Sequence, residues 1–511
     1  MVNKVTTATV IGLEAYKVTV EIDVINALPG ISIVGLPDAA INEARDRVRS
    51  AIKNSEFSFP AKKVIINLAP ADIKKVGTNF DLPIAIGILV EEEVIAPEKI
   101  KDYAFLGELS LDGEIRGVNG VLPIVLGLKS VGIKNVIVPT INSNEAALVD
   151  GINVFGAENL KDVVNHFLEE PLKIVKVDIN EYLRHKNNDD FIYDFKDVKG
   201  QKKAKKALEI AAAGAHNLLM SGSPGSGKTL MAKCFASILP PLELEEALEL
   251  TKIYSISGLL SSDEPLMTHR PFRSVHHTAS ANGIIGGGSN PKPGEITLAH
   301  RGVLFMDEIV EFPRNVLEVL RQPLEDAKVV ISRTSHSITY PAKFMLLAAM
   351  NPCPCGYLGD KEKQCTCSEF QINRYLSKLS GPLLDRIDLQ IEVPRLTTDE
   401  LMNSKLEEES SSEIRKRVLS ARRIQAERYK DDGILTNSEL TPKLIKKYCK
   451  IDKSCEPILK TAIIKYHLSG RRYDRVLKLA RTIADLENSA EIKQNHLMQA
   501  LQYRTFLKGQ N

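Results

Sequence analysis

Eight consecutive residues, Gly222-Ser223-Pro224-Gly225-Ser226-Gly227-Lys228-Thr229, fit the spacing G-x-x-x-x-G-K-[ST]. That spacing suits one task above others, the gripping of a polyphosphate. Gly225 and Gly227 carry no side chain to hold the backbone away from an anion. Successive amide hydrogens can therefore converge where a helix N-terminus already favours negative charge. Lys228 is placed to reach the β- and γ-phosphates, and Thr229 to ligate Mg²⁺. Such a site also needs a carboxylate for the metal. About 80 residues downstream, the segment Gly302-Val303-Leu304-Phe305-Met306-Asp307-Glu308 runs apolar into two acids. Asp307 would hold the Mg²⁺ together with Thr229, and Glu308 would polarise a water for in-line attack on the γ-phosphate. These residues predict Mg²⁺-dependent binding and hydrolysis of a nucleoside triphosphate.

For these groups to meet, the loop must leave a buried strand and enter a helix. Asn217 to Ser221 reads as that strand, and the residues after Lys228 as that helix. From 198 to 394 strands and helices alternate, as a parallel sheet requires. Residues 1–170 read as an α+β domain of their own. Within it Lys63 to Leu68 is a strand, Asp81 to Val90 a buried helix, Leu106 to Ile115 a hairpin turned at Asp112-Gly113, Gly117 to Val131 a helix and Asn135 to Val138 a strand. The polar stretch 171–197, most solvated at Asn187-Asn188-Asp189-Asp190, reads as a linker. Residues 395–511 are helical in pattern. The expected class is a multidomain α/β protein.

At 511 residues the chain is too long for one ordinary core. A formal charge of +2 argues against a bulk polyelectrolyte binder, so any nucleic-acid contact must come from a local patch or from repetition around a ring. Met1 to Leu13 is mixed and threonine-rich, and no stretch approaches the ~20 apolar residues of a membrane helix; a soluble, cytoplasmic protein is expected. Of seven cysteines, four cluster as Cys353-Pro-Cys355 and Cys365-Thr-Cys367. Gly356 and Gly359 would let the two pairs fold onto one tetrahedral Zn²⁺. Reduced loop thiols are the alternative.

Further segments then take up recognisable positions: Leu347-Ala348-Ala349-Met350-Asn351-Pro352, Gly381-Pro382-Leu383-Leu384-Asp385-Arg386-Ile387-Asp388, and Ser469-Gly470-Arg471-Arg472-Tyr473. With the phosphate loop and Asp307-Glu308 they resemble the magnesium-chelatase-like AAA+ ATPases, specifically the YifB/ComM family, over almost the whole chain. The resemblance implies that the nucleoside triphosphate is ATP, and it implies a P-loop AAA+ parallel-sheet core followed by a C-terminal helical lid. It implies that Asn351 is the sensor-1 residue, that Arg386 is an arginine finger reaching a neighbouring subunit's ATP, and that Arg471 is the sensor-2 arginine, with Arg472 and Arg475 as alternatives. A finger acting in trans implies a ring, a homo-hexamer. Between Arg270 and Arg301 lies a segment with Arg273, His276, His277, the run Gly283 to Gly288, and Lys292. It matches the family's insertion and would form either a pore loop or an ordinary glycine loop.

The N-terminal domain is similar to the Lon-protease/S5-like type shared with RadA-like recombination factors. Asp81 stands where the protease family has its serine, and Leu122 about where it has its lysine, which removes the peptidase pair. Lys62, Lys63, Lys74 and Lys75 would form a basic or merely solvated face. Glu413 to Lys430 carries Arg415, Lys416, Arg417, Arg422, Arg423, Arg428 and Lys430, either for phosphate contacts or as a solvated, ion-paired helix. The resemblance implies a motor on single-stranded or branched DNA, a branch-migration helicase of homologous recombination and natural transformation, with recombination proteins as partners. A protein-remodelling ATPase of the magnesium-chelatase kind, without DNA motor activity, is the alternative.

Overall fold

The computed structural model describes residues 2–185, 191–288, 291–332, 337–397, 408–466 and 468–504. The chain is a mixed α/β protein that divides into two compact units. One comprises Met1–Lys186 with Glu243–Thr268, the other Asn187–Leu242 with His269–Asn511.

The first unit is built on an eight-stranded mixed sheet. Asn3–Ile11 and Glu14–Ile25 form a long antiparallel pair at its centre, Lys63–Ala69 pairs antiparallel with the latter, and Gly30–Val34 lies parallel at one edge. On the other side Tyr103–Phe105, Asn135–Pro139 and Asn153–Ala157 run parallel. Val18, Val20 and Ile22 alternate inward at the period of two expected of a half-buried strand and are fully buried. They pack with helices Ala39–Asn54 and Asp81–Glu91, the latter buried over nearly its whole length as its unbroken apolar run predicts. The Asp112-Gly113 turn joins a ladder of only two residues a side, Glu108–Leu109 with Ile115–Arg116.

Three expectations change here. Ile174–Val175, assigned to a linker, adds an antiparallel edge strand to Asn153–Ala157, and Phe195, at the end of the same stretch, is fully buried in the second unit. The solvated run 187–190 lies outside the described residues. Second, Glu243–Thr268 was read as part of the nucleotide module, yet its helix Leu244–Ser257 belongs to the first unit. There the Ser255 hydroxyl donates to Glu145 at 2.5 Å, and the same carboxylate accepts the Leu122 amide at 2.8 Å. Third, Lys75 is not on a basic face. Its side chain is buried and donates to the Pro70 carbonyl.

The second unit contains a five-stranded, wholly parallel sheet. Across it the strands follow the order Phe272–Val275, Val303–Met306, Met345–Met350, Leu218–Ser221, Leu389–Glu392. The three central strands, Val303–Met306, Met345–Met350 and Leu218–Ser221, are buried on both faces, so they read as apolar runs rather than alternating ones. The helices after residue 408 do not form a core of their own. Ile414, Val418, Ala480, Ile483 and Leu497 join the same apolar cluster as Leu218, Met220, Phe305 and Leu347. No described helix is long and apolar enough to cross a membrane.

Candidate functional site

In a parallel sheet all carboxyl ends lie on one side, and loops leaving them share a crevice. The register pairs Ser221 with Met350 and Met306 with Ala348. The loop opening at Gly222, the acids after Met306 and Asn351 after Met350 therefore emerge together. A Cβ at Gly222 would collide with the Val393 carbonyl. Ser223 accepts the Ser226 amide at 3.2 Å through its carbonyl, closing the turn around Pro224. Gly225 and Gly227 take φ of +79° and +90°, and nothing stands within 4 Å of where their Cβ atoms would be. The loop thus presents open backbone, as a phosphate cradle must.

Lys228 begins the helix Lys228–Phe235. Its side chain folds over the loop, its ammonium donating to the carbonyls of Gly222 at 2.6 Å and Ser223 at 3.0 Å and reaching Asn351 Oδ1 at 3.4 Å. Burial lowers its pKa, and the nearby carboxylates of Asp307 and Glu308 oppose that shift. The Thr229 hydroxyl donates to Asp307 Oδ2 at 2.7 Å. A hydroxyl beside a carboxylate is a donor set for a hard cation, and it fits Mg²⁺ through oxygen ligands and waters. Glu308 is exposed, in a left-handed conformation with φ of +50°, and its amide donates to Asp307 Oδ1 at 3.0 Å. That turn separates the two acids, Asp307 toward Thr229 and Glu308 toward solvent, and a non-glycine residue held there is costly backbone kept at the site.

Arg386 and Arg471 are elsewhere. Arg386 lies next to Asn217, whose side chain donates to the Arg386 carbonyl at 2.9 Å. Asn217 precedes the strand that ends at the phosphate loop, so Arg386 is at the amino end of the sheet. Four strand residues, about 13 Å at the usual rise, separate that end from the loop. Only 10% of the Arg386 side chain is exposed, and it pairs with Glu325. Arg471, 72% exposed, pairs with the same Glu325 at 3.2 Å. Arg472 is bound to Asp385 at 2.5 Å and Arg475 to Asp388 at 2.6 Å. Burial would raise the Asp388 carboxyl, but Arg475, His216 and Arg504 together hold it well below the ordinary range. Asp385 and Asp388, the nearest acids in sequence to Arg386, thus serve other arginines. Its own partner is 61 positions away, a pairing no local spacing announces.

The four thiols converge. Cys353 Sγ lies 3.4 Å from Cys355 Sγ and 3.6 Å from Cys365 Sγ, and all four sulfurs fall within 4.8 Å of one another. Other candidates are dispersed. The segment with the glycine run forms a short helix, Ala281–Ile285, and a minimal ladder of Gly286–Gly287 with Lys292–Pro293; Arg273 pairs with Glu295 at 2.7 Å. On the basic helix Ser411–Arg428, Arg417 pairs with Glu209 at 2.5 Å, Arg428 with Asp485 at 2.5 Å, and Arg422 donates to the Ala212 carbonyl at 2.9 Å. Arg415 stacks on the Phe191 ring, so ion pairing and packing hold four of the helix's six cations; Lys416 and Arg423 stay exposed, as does Lys430 just beyond the helix end. In the first unit Asp81 is fully buried and receives both a 2.7 Å and a 3.0 Å bond from Arg47. Leu122 is buried as well.

Three sequence-family profiles match the chain in succession: the ChlI subunit of magnesium chelatase over residues 20–142, magnesium chelatase subunit ChlI over 194–401, and the ChlI C-terminal region over 408–504. The chain is 44% identical to competence protein ComM of Haemophilus influenzae, covering 97% of this chain and 96% of that protein. It is 42% identical to YifB of Salmonella typhimurium, covering 98% and 96%. Similarity to a magnesium-chelatase ChlI homolog of Methanocaldococcus jannaschii is 23% identity over 60% of this chain and 86% of that one. With a phosphate loop and an acid pair set on one parallel sheet, and near full-length similarity to ComM and YifB, the chain belongs to the YifB/ComM family of magnesium-chelatase-like AAA+ ATPases.

Proposed function

We propose that this protein is an ATP-hydrolysing ring motor that acts on single-stranded or branched DNA, with branch migration in homologous recombination and natural transformation as its task. The carrying observation is the division of the site. The loop 222–229, Asp307, Glu308 and Asn351 gather at one end of the sheet, whereas Arg386 and Arg471 gather at the other. A site that uses both sets needs two copies of the chain, and repeated head-to-tail contacts close into a ring, here a hexamer.

In this reading the amides of the loop and the Lys228 ammonium hold the β- and γ-phosphates, exchanging the loop's own carbonyls for phosphate oxygens. Thr229 and Asp307 would hold Mg²⁺, which supplies charge neutralisation on the transferring phosphoryl group. Glu308 accepts a proton from the attacking water and Asn351 fixes that water's position. Arg386 from the adjacent copy places a planar, permanently charged guanidinium on the equatorial oxygens, and Arg471 accompanies it. The N-terminal unit serves as a Lon-type domain that organises the ring, and the C-terminal helices as its lid.

The DNA assignment is supported by the similarity to a competence protein. The similarity to magnesium-chelatase subunits favours a second reading, a ring that remodels a protein partner. Steady-state ATPase with and without single-stranded and branched DNA, run beside light scattering with ATP, separates them. Stimulation and a hexamer-sized species support the motor. Unstimulated hydrolysis by the same species would transfer the assignment to protein remodelling.

A further inference from the structure

We propose that Cys353, Cys355, Cys365 and Cys367 bind one Zn²⁺, and that this zinc knot braces the phosphate loop so that nucleotide affinity depends on its occupancy. The coupling rests on the reading of Gly222–Thr229 as a nucleotide loop.

The geometry of the sulfurs comes first. Zinc–thiolate bonds of about 2.3 Å at tetrahedral angles place sulfurs about 3.8 Å apart. The closest pairs here are at 3.4, 3.6 and 3.6 Å, and every pair lies within 4.8 Å. All four cysteines are free thiols. The backbone also supports thiolate: the Cys355 amide donates to Cys367 Sγ and the Cys367 amide to Cys365 Sγ, each at 3.4 Å. Such outer bonds orient ligands and stabilise their charge. On zinc binding each thiol releases its proton to solvent.

The second observation is what the knot touches. Cys353 follows Asn351 by two residues, so the knot begins where the sensor residue ends. Gly356, directly after the first thiol pair, has φ of +85°, and a Cβ there would fall 2.7 Å from Cδ of Pro224. The knuckle therefore lies against the tip of the phosphate loop with no room for a methyl group. Asp360, further along the same loop, accepts the amides of Glu362 at 2.9 Å and Lys363 at 3.1 Å, and its carboxyl faces Ser223. The outer wall of Ser223-Pro224 is thus made by a segment with little regular structure, Pro352 to Thr366, held by a few turn hydrogen bonds and by the convergence of its cysteines. A metal closing that segment fixes the wall.

The test uses the full-length protein with zinc measured by mass spectrometry, Co²⁺ substitution read by visible absorption, and affinity for a fluorescent ATP analogue. About one zinc per chain is expected. Cys365→Ser and Cys367→Ser should lose the metal and weaken nucleotide binding about tenfold, the lower end of what lost support at a metal site costs. Gly356→Ala keeps every ligand, so it should retain zinc yet weaken nucleotide binding to a similar degree; it also covers the case in which the cysteine variants do not fold. Reduced protein that holds no zinc and takes up no Co²⁺ would overturn the site. Zinc-free variants and Gly356→Ala with wild-type nucleotide affinity would overturn the coupling. Wild-type protein that holds zinc and binds no nucleotide analogue would overturn the reading of the loop, and the coupling with it.

Discussion

The two ends of the five-stranded sheet are built differently. At the carboxyl end the functional groups meet one another: Lys228 reaches Asn351, Thr229 reaches Asp307, and glycines leave the backbone open. At the amino end the arginines are held by carboxylates, Arg386 and Arg471 on Glu325, Arg472 on Asp385, Arg475 on Asp388. Arg386 and Arg475 also donate to the Pro382 and Arg386 carbonyls, respectively. The first end leaves backbone and side chains open to a ligand, and the second, in the function proposed above, is delivered to the ligand of another copy. Under the proposed trans site, the difference teaches how half of an active site awaits a neighbour, as cations held in ion pairs about 13 Å from the phosphate loop of their own copy.

The largest effect that would sharpen this contrast is at Arg386. Arg386→Ala should lower turnover by about 10³-fold or more, the usual worth of an arginine finger, while nucleotide affinity stays near wild type. Arg386→Lys should fail as well, because a point charge does not reproduce the planar fork. Equal loss of binding and turnover would break the separation of the two ends. Next is Glu308→Gln, expected to lower kcat by about 10²–10⁴-fold in single-turnover assays with ATP still bound. Lys228→Ala, in a nucleotide titration, should weaken affinity by roughly 30- to 4,000-fold, which corresponds to the 2–5 kcal/mol lost when one partner of a buried charged contact is removed. The smallest effect belongs to Glu325→Gln. Glu325 is itself about half exposed and its pairs are worth about 1 kcal/mol, so freeing both arginines should raise turnover at most about fivefold. A large loss of turnover in Glu325→Gln would mean that the carboxylate positions the finger rather than stores it.

The carboxyl end was legible in the sequence because its chemistry is local. A phosphate loop is eight adjacent residues, the acid pair closes one strand, and a parallel sheet brings strand ends together by topology alone. The strands and buried helices read from apolar runs, such as Lys63 to Leu68 and Asp81 to Val90, were found where burial demanded them. The thiols could be grouped from spacing, though the close approach of their neighbour Gly356 to Pro224 could not be read there. The amino end was less legible. Which carboxylate holds Arg386 depends on a helix end 61 residues away, while the near acids Asp385 and Asp388 are taken by Arg472 and Arg475, which arrive from a distant helix. The burial of Lys75 and the attachment of Glu243–Thr268 to the first unit were illegible for the same reason: composition describes a segment and not the surface it lands on. Charge density on the Ser411–Arg428 helix likewise could not distinguish solvent-facing cations from those bridging to Glu209 and Asp485.

The central claim is that the two ends complete one another between copies of the chain. Its most direct test mixes two inactive proteins, Arg386→Ala and Lys228→Ala, and follows ATP hydrolysis. The account predicts that turnover reappears on mixing, since an intact loop on one copy then meets an intact Arg386 on the next. A mixture that stays as inactive as its components, while light scattering shows them assembled together, would contradict it.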